Sequence, residues 1–255
     1  MIPRVYFVGT AGSGKSTLVN TVKEWMENLS YDAITVNLDP GAEFLPYTPD
    51  IDIRENISLE SVMENYSLGP NGAQIVAADL VVQEAERIKE LMDSYDSDYT
   101  LIDTPGQLEL FAFRGSSSQL ISTLGEENNA MLYLFDAVLM KNPESYVSSR
   151  FLAMSVMTRF YVPFLGVVSK TDLLEPEERM RIERWDRNRN ELIKDLRESS
   201  ASLNVQLSEA ILNGSESLSI LGESIFTSSE SEEGVEDIYA FLQKIFYGSD
   251  DLEKR

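Results

Sequence analysis

Gly9-Thr10-Ala11-Gly12-Ser13-Gly14-Lys15-Ser16 carries the most specific chemistry in the chain. It matches the G-x4-G-K-[ST] pattern in full, and the residue types explain one another. Glycines let the backbone wrap closely, so that successive N–H groups and the N-terminus of a following helix can face a β-phosphate. Lys15 is then placed to bridge the β- and γ-phosphates, and the Ser16 hydroxyl to ligate Mg²⁺. Gly12, Ser13, Gly14, Lys15, Ser16 and Thr17 are accordingly the candidate phosphate-site residues. From average residue usage the pattern arises by accident in roughly one chain in a hundred of this length. Here it also lies between a predicted strand and a predicted helix, the context its geometry needs.

Asp103 ends an apolar run and is the acidic residue that such a site needs across the Mg²⁺ from Ser16. Thr104-Pro105-Gly106 then forms a turn whose backbone N–H can close on a γ-phosphate and be released when that phosphate is lost. Gln107 comes next, where a side-chain amide can orient an attacking water without being basic. Glu109 points to the same region if the segment stays extended. Asp39, at the tip of another apolar run, is a third residue able to polarise water or hold the metal's shell. The chain has no histidine and no cysteine. Disulfides, zinc-thiolate sites and cysteine nucleophiles are thereby excluded, and any proton acceptor must be a carboxylate, a lysine, a backbone group or water.

Ser169-Lys170-Thr171-Asp172 resembles the guanine-reading element of GTPases, whose commoner form begins with asparagine. A carboxylate at Asp172 can accept from both N1–H and the exocyclic amine of guanine, whereas adenine offers an acceptor at N1 and leaves the charge unpaired. Lys170 is expected to lay its methylene stem along the base or ribose. Thr227-Ser228-Ser229, ahead of Glu233-Gly234, resembles the loop that backs guanine O6 through a main-chain N–H. GTP and GDP are the substrate and product this set implies.

Such groups need a frame that brings them to one end of a sheet. Val5 to Gly9, Ala33 to Leu38, Tyr99 to Ile102, Ala130 to Phe135, Phe164 to Val168 and Ile225 to Thr227 read as strands. They alternate with stretches of helical periodicity, of which Ser16 to Asn28 is the first. Nearly continuous apolar strands between helices predict an α/β fold of the P-loop NTPase type, a mainly parallel sheet sandwiched by helices with helical inserts. Ligands in such sheets gather at the carboxyl ends of the strands, where every motif above is placed. Residues 1–248 read as a single domain, with a helical insert at 51–94 and a charged helical insert at 175–213. The serine-rich stretch 199–231 is expected to be partly mobile, and 249–255 to be a short, frayed polar tail.

Composition narrows the partners. The 255 residues hold 43 acidic and 21 basic side chains, a net charge of −22, which opposes binding to nucleic-acid backbones or anionic membranes. No apolar run approaches the roughly eighteen residues of a membrane span, and the first residues lack the features of a signal peptide. A cytoplasmic location is expected.

Gly69-Pro70-Asn71-Gly72 reads, from residue types alone, as a turn between two helices. Its place among the other motifs changes that reading. GTAGSGKST from Gly9 to Thr17, Asp39-Pro40, Gly69-Pro70-Asn71, DTPGQLELF from Asp103 to Phe111, and SKTD from Ser169 to Asp172 span most of the chain in that order. The ensemble resembles the GPN-loop GTPases, whose defining insert is a Gly-Pro-Asn between the phosphate loop and the DTPGQ turn, and the compact length resembles archaeal members. The resemblance implies a homodimeric or paralogue-paired GTPase in which Gly69, Pro70 and Asn71 of one subunit reach the other's nucleotide site. Asn71 would then act near the γ-phosphate or the product phosphate in place of an arginine finger. It also favours Gln107, Glu109 and Asp39 as the residues handling water and metal. Through eukaryotic relatives linked to RNA polymerase assembly and nuclear import, it suggests a nucleotide-driven switch or assembly factor for a protein client. Two other readings stay open. One is a P-loop small-molecule kinase with a lid of Arg179, Arg181, Arg184, Arg187 and Arg189; the other is a non-catalytic scaffold whose shape nucleotide merely stabilises.

Overall fold

Strands whose residues are apolar almost without interruption can be stable only if both faces of their sheet are covered, and the computed structural model of the chain shows that arrangement. It describes residues 2–114, 117–125, 127–199, 202–217 and 222–248. The strands are β1 (Arg4–Gly9), β2 (Ala33–Asn37), β3 (Ile51–Asp52), β4 (Tyr99–Asp103), β5 (Asn129–Asp136), β6 (Phe164–Ser169) and β7 (Ile225–Phe226). They form one parallel sheet in the order β3-β2-β4-β1-β5-β6-β7. Every residue of β1, β2 and β4 is buried. Side chains alternate between faces along β1: Tyr6 and Val8 belong to one hydrophobic cluster, Val5 and Phe7 to the other.

The helices are α1 (Lys15–Asn28), α2 (Leu59–Tyr66), α3 (Pro70–Gln83), α4 (Ala85–Asp93), α5 (Leu108–Phe111), α6 (Ser117–Leu124), α7 (Pro143–Phe160), α8 (Pro176–Arg187), α9 (Arg189–Ser199), α10 (Ser202–Ser217) and α11 (Val235–Tyr247). Helix α1 buries Leu18, Val19, Val22 and Met26 against the β1 face that holds Val5 and Phe7. Each such side chain contributes about 1.5–3 kcal/mol on leaving water. That burial fixes the helix whose N-terminus ends the phosphate loop. Register does the rest. Asn37 lies beside Asp103, Asp103 beside Phe7, Gly9 beside Leu134, and Asp136 beside Ser169, so the carboxyl ends of β2, β4, β1, β5 and β6 form one continuous edge.

Three expectations are revised. The insert at 51–94 opens with an edge strand, β3, because Ile51 and Asp52 pair with Val36 and Asn37; two residues are too few to show a period. The Gly-Pro-Asn segment is not a free turn between helices. Gly69 is the N-cap of α3 and Pro70 starts it, a position that suits proline's fixed φ and missing N–H. The chain after Gln107 does not stay extended but turns at once into α5. Of the serine-rich stretch, 200–201 and 218–221 lie outside the described residues, as does the whole tail 249–255. Among the described residues no helix is long and apolar enough to cross a membrane.

Candidate functional site

The loop between β1 and α1 is shaped by its glycines. Gly12 and Gly14 have φ of 75° and 87°, which side-chain-bearing residues resist. Gly9 answers to space instead: a Cβ there would stand 2.7 Å from the Leu134 carbonyl oxygen and 2.7 Å from Ser13 Oγ. Lys15 is buried and its Nζ donates to the Gly9 and Thr10 carbonyls at 3.2 and 3.1 Å. Burial lowers its pKa, while the negative charges of Asp103 and Asp39 act to raise it. Ser16 is half-buried and Thr17 exposed on the first turn of α1.

Asp103 closes the other side. It is 1% exposed, its Oδ2 accepts from Tyr47 Oη at 3.0 Å, and its buried Oδ1 accepts no hydrogen bond of ordinary geometry. Burial pushes its pKa up to about 6; the neighbouring Ser16 and Tyr47 hydroxyls and the Lys15 ammonium pull it down, and Asp39 adds to the rise. A buried carboxylate oxygen with open lone pairs, close to a serine hydroxyl, is a fitting donor set for Mg²⁺. Among the described residues no three carboxylates gather into a cage.

Asp39 is held by a residue that the sequence did not single out. Asn37, fully buried, accepts from the Asp39 N–H through Oδ1 at 3.0 Å and donates through Nδ2 to the Asp39 carbonyl at 3.2 Å and to Asp52 Oδ1 at 2.9 Å. The Asp39 carboxylate thereby faces two backbone amides: Oδ1 accepts from Gly41 N at 2.9 Å and Oδ2 from Gly106 N at 3.3 Å. The N–H expected to close on a γ-phosphate thus donates to Asp39. The turn lies directly over the phosphate loop, since a Cβ on Gly106 would meet Ala11 Cα at 3.3 Å and Lys15 Nζ at 3.6 Å. Ala11, Asp39, Gly106, Gln107, Leu110 and Gln74 line a cavity of about 190 Å³.

Gln107 is exposed, at the N-cap of α5, and its Nε2 donates to Gln74 Oε1 of α3 at 2.8 Å. Glu109 does not join this group. The helical turn carries it to an exposed position away from the cavity lining, because α5 starts one residue after Gln107. Gly69, Pro70 and Asn71 are exposed at the tip of α3 and do not line the cavity of their own chain.

At the end of β6, the Ser169 hydroxyl lies 2.7 Å from the Ser13 carbonyl and 2.9 Å from the Phe135 carbonyl. Serine in the place of the commoner asparagine thus ties the Ser169-Lys170-Thr171-Asp172 segment to the phosphate loop. Lys170 adopts φ 61° and its Nζ donates to Asp136 Oδ2 at 2.7 Å, with Cε 3.9 Å from where a Cβ on Gly14 would be. Its stem therefore runs over the phosphate loop. Thr171 N and Oγ1 both donate to the Thr227 carbonyl, at 3.1 and 3.0 Å, which holds the Thr227-Ser228-Ser229 segment beside Asp172. Ser228 N donates to the Glu233 carbonyl at 3.3 Å; Ser229, half-buried, follows it. Asp172 is exposed.

The arginines of the second insert have partners of their own. Arg179 pairs with Glu183 and Glu233, Arg184 with Glu191 and Asp195. Arg181 donates to the Lys141 carbonyl and lies over Trp185, and Arg189 bonds Asn213; Arg187 is exposed. Asn37, Tyr47 and Gln74 are the site residues that sequence reasoning missed. A polar residue among the apolar positions of α3 was the one available sign of Gln74, and Tyr47, in an irregular loop, had none.

A family model described as a conserved hypothetical ATP binding protein matches residues 7–248. A GPN-loop GTPase of Pyrococcus abyssi is 32% identical over 257 residues, 97% of this chain and 99% of that protein. GPN-loop GTPase 3 of Mycosarcoma maydis is 35% identical over 173 residues, 67% of this chain and 62% of that one. The crystal structure of a GTPase in apo form from Pyrococcus abyssi superposes with a TM-score of 0.85 at 30% identity, covering 96% of this chain and 98% of that chain.

Proposed function

The chain belongs to the GPN-loop GTPase family, and from that premise we propose that it hydrolyses GTP to GDP and phosphate with Mg²⁺, as a dimer that switches with its nucleotide. One observation carries the reading: Ala11 of the phosphate loop, Asp39, Gly106 and Gln107 face a single cavity. The buried Oδ1 of Asp103 and the Ser16 hydroxyl beside that carboxylate would hold Mg²⁺, which supplies charge stabilisation at the phosphates. Lys15 bridges the β- and γ-phosphates. Gly106 N–H, exchanging Asp39 for a γ-phosphate oxygen, senses whether that phosphate is present. Gln107 orients the water, and Asp39 holds the turn that carries Gln107.

Guanine is favoured over adenine because Asp172 presents a carboxylate to N1–H and the exocyclic amine, with Lys170 laid over the phosphate loop and Ser229 at the O6 side. Exposure of Gly69, Pro70 and Asn71 away from the cavity of their own chain supports their reaching the site of a second subunit. Glu109, turned outward on α5, is assigned no direct contact with water. The ion-paired arginines of α8 speak against a kinase lid. The protein acts in the cytoplasm on a protein client, by resemblance a component of RNA polymerase assembly, with no direct contact to nucleic acid or membrane.

The dimeric site is tested by mixing a Lys15→Ala subunit with an Asn71→Ala subunit. Each is expected to be slow alone, and the mixture to regain turnover at hybrid sites. No regain, with dimerisation intact, refutes action in trans. Phosphate released from ATP as fast as from GTP would overturn the guanine assignment, and GTP binding with no turnover would leave a scaffold.

A further inference from the structure

Water positioning by a glutamine depends on which end of its amide faces the water. The carbonyl oxygen must accept the water's hydrogen for the water's lone pair to point at phosphorus. A free glutamine side chain gains nothing by choosing that orientation, since its Oε1 and Nε2 ends are nearly equal in shape. Here a second amide takes up one end of the first: Gln107 Nε2 donates to Gln74 Oε1 at 2.8 Å. With its N–H so engaged, Gln107 keeps Oε1 free to accept.

Gln74 is well placed to hold this orientation. It sits in the second turn of α3, which is anchored by the buried Ala73, Ala77 and Val81, and it lines the same cavity as Asp39, Gly106 and Gln107. It is also three residues beyond Asn71, so the two are neighbours along one side of the helix.

The geometry points to Gln74 as a positioning residue for GTP hydrolysis, one that fixes the amide of Gln107 with its oxygen toward the attacking water; this rests on the reading of Gln107 as the water-orienting group. Helix α3 then serves two purposes, displaying Asn71 at its tip and setting Gln107 of its own subunit one turn later.

The test is steady-state GTP hydrolysis by the full chain with Mg²⁺, reading kcat and KM separately, with circular dichroism to show that each variant is folded. Gln74→Leu removes the acceptor. It is expected to lower kcat about three- to ten-fold, the change that one hydrogen bond of ordinary net strength corresponds to, with KM within two-fold of wild type. Gln74→Glu keeps an acceptor and should recover part of that loss. Gln74→Lys can only donate, forces the Gln107 oxygen to turn toward it, and should fall below the leucine variant. A role in simple charge stabilisation gives the opposite order, lysine above leucine above glutamate, so that order overturns the proposal. So does a rise in KM at constant kcat. Gln107→Ala separates the two layers of the argument. If it is crippled while Gln74→Leu turns over like wild type, the proposal falls and the role of Gln107 stands. If Gln107→Ala is itself fully active, the reading of Gln107 falls and the proposal with it.

Discussion

Replacing Ser169 by alanine tests whether the base reader and the phosphate loop are one unit. The Ser169 residue is 5% exposed, and its hydroxyl is 2.7 Å from the Ser13 carbonyl and 2.9 Å from the Phe135 carbonyl. The single proton serves both acceptors, one in the phosphate loop and one at the end of β5. Alanine removes a buried hydrogen bond, a cost of about 0.5–1.5 kcal/mol. In a chain of this size each kcal/mol lowers the melting temperature by about 2–4 °C. Because Ser13 belongs to the phosphate loop, the loss should also appear in binding, with the Kd for GTP weakened by up to about ten-fold, equivalent to about 1.4 kcal/mol. Differential scanning fluorimetry and titration with a fluorescent GTP analogue read the two effects. A Ser169→Ala protein that melts within 1 °C of wild type and binds GTP as tightly would refute the coupling.

Gly9→Ala should destabilise by about 1–3 kcal/mol or more through overpacking, because the new Cβ would stand 2.7 Å from a backbone oxygen that cannot swing aside, that of Leu134; a lower urea midpoint at constant slope checks it. Asp172→Ala should narrow the preference for GTP over ATP by about ten-fold or more, with ATP affinity nearly unchanged in competition binding. Asp50 provides a pH test. Burial acts to raise its pKa, but hydrogen bonds from Lys23, Thr35 N and Thr35 Oγ1 outweigh it and hold the carboxyl below its ordinary value. A carboxyl whose folded pKa is depressed stabilises the fold above its unfolded pKa and loses that contribution as pH falls through the folded one. Asp50→Asn should therefore be less stable than wild type at pH 7, and the gap should shrink below about pH 4.

Much of the fold was legible because burial on both faces of a parallel sheet writes itself into the sequence as apolar runs. Every run expected to be a strand is one, within two residues at either end. The missing strand, β3, pairs through two residues, and no period can be seen in two. The motifs at the strand ends were legible for a different reason. Phosphate wrapping and base reading demand particular residue types at fixed spacing, so Gly9 to Ser16 and Ser169 to Asp172 announce themselves. What stayed hidden was every contact made across large separations in the chain. Tyr47 reaches Asp103 from 56 residues away, and Gln74 meets Gln107 from 33; neither spacing is repeated or patterned. For Glu109 the sequence left one local decision open, helix or extended chain after Gln107, and the structure sets it exposed on α5.

Two aspartates of the candidate site, Asp103 at the end of β4 and Asp39 just beyond β2, sit in different environments. Asp103 is buried, with a pKa pushed up to about 6 by that burial and pulled down by the Ser16 and Tyr47 hydroxyls and the Lys15 ammonium; a neighbouring positive charge favours the ionised form that burial opposes. Asp39 is half-buried, and each of its oxygens already accepts a backbone N–H, from Gly41 and Gly106. Taking a proton from water would weaken both of those bonds, since a protonated carboxyl is a poorer acceptor. The contacts of Asp39 therefore suit it to hold the Gly106 turn over the phosphate loop better than to act as a base. The transferring phosphoryl group calls mainly for alignment and charge stabilisation, and under the proposed function those would come from Lys15, the Gly106 N–H and the amide of Gln107 beside Gln74.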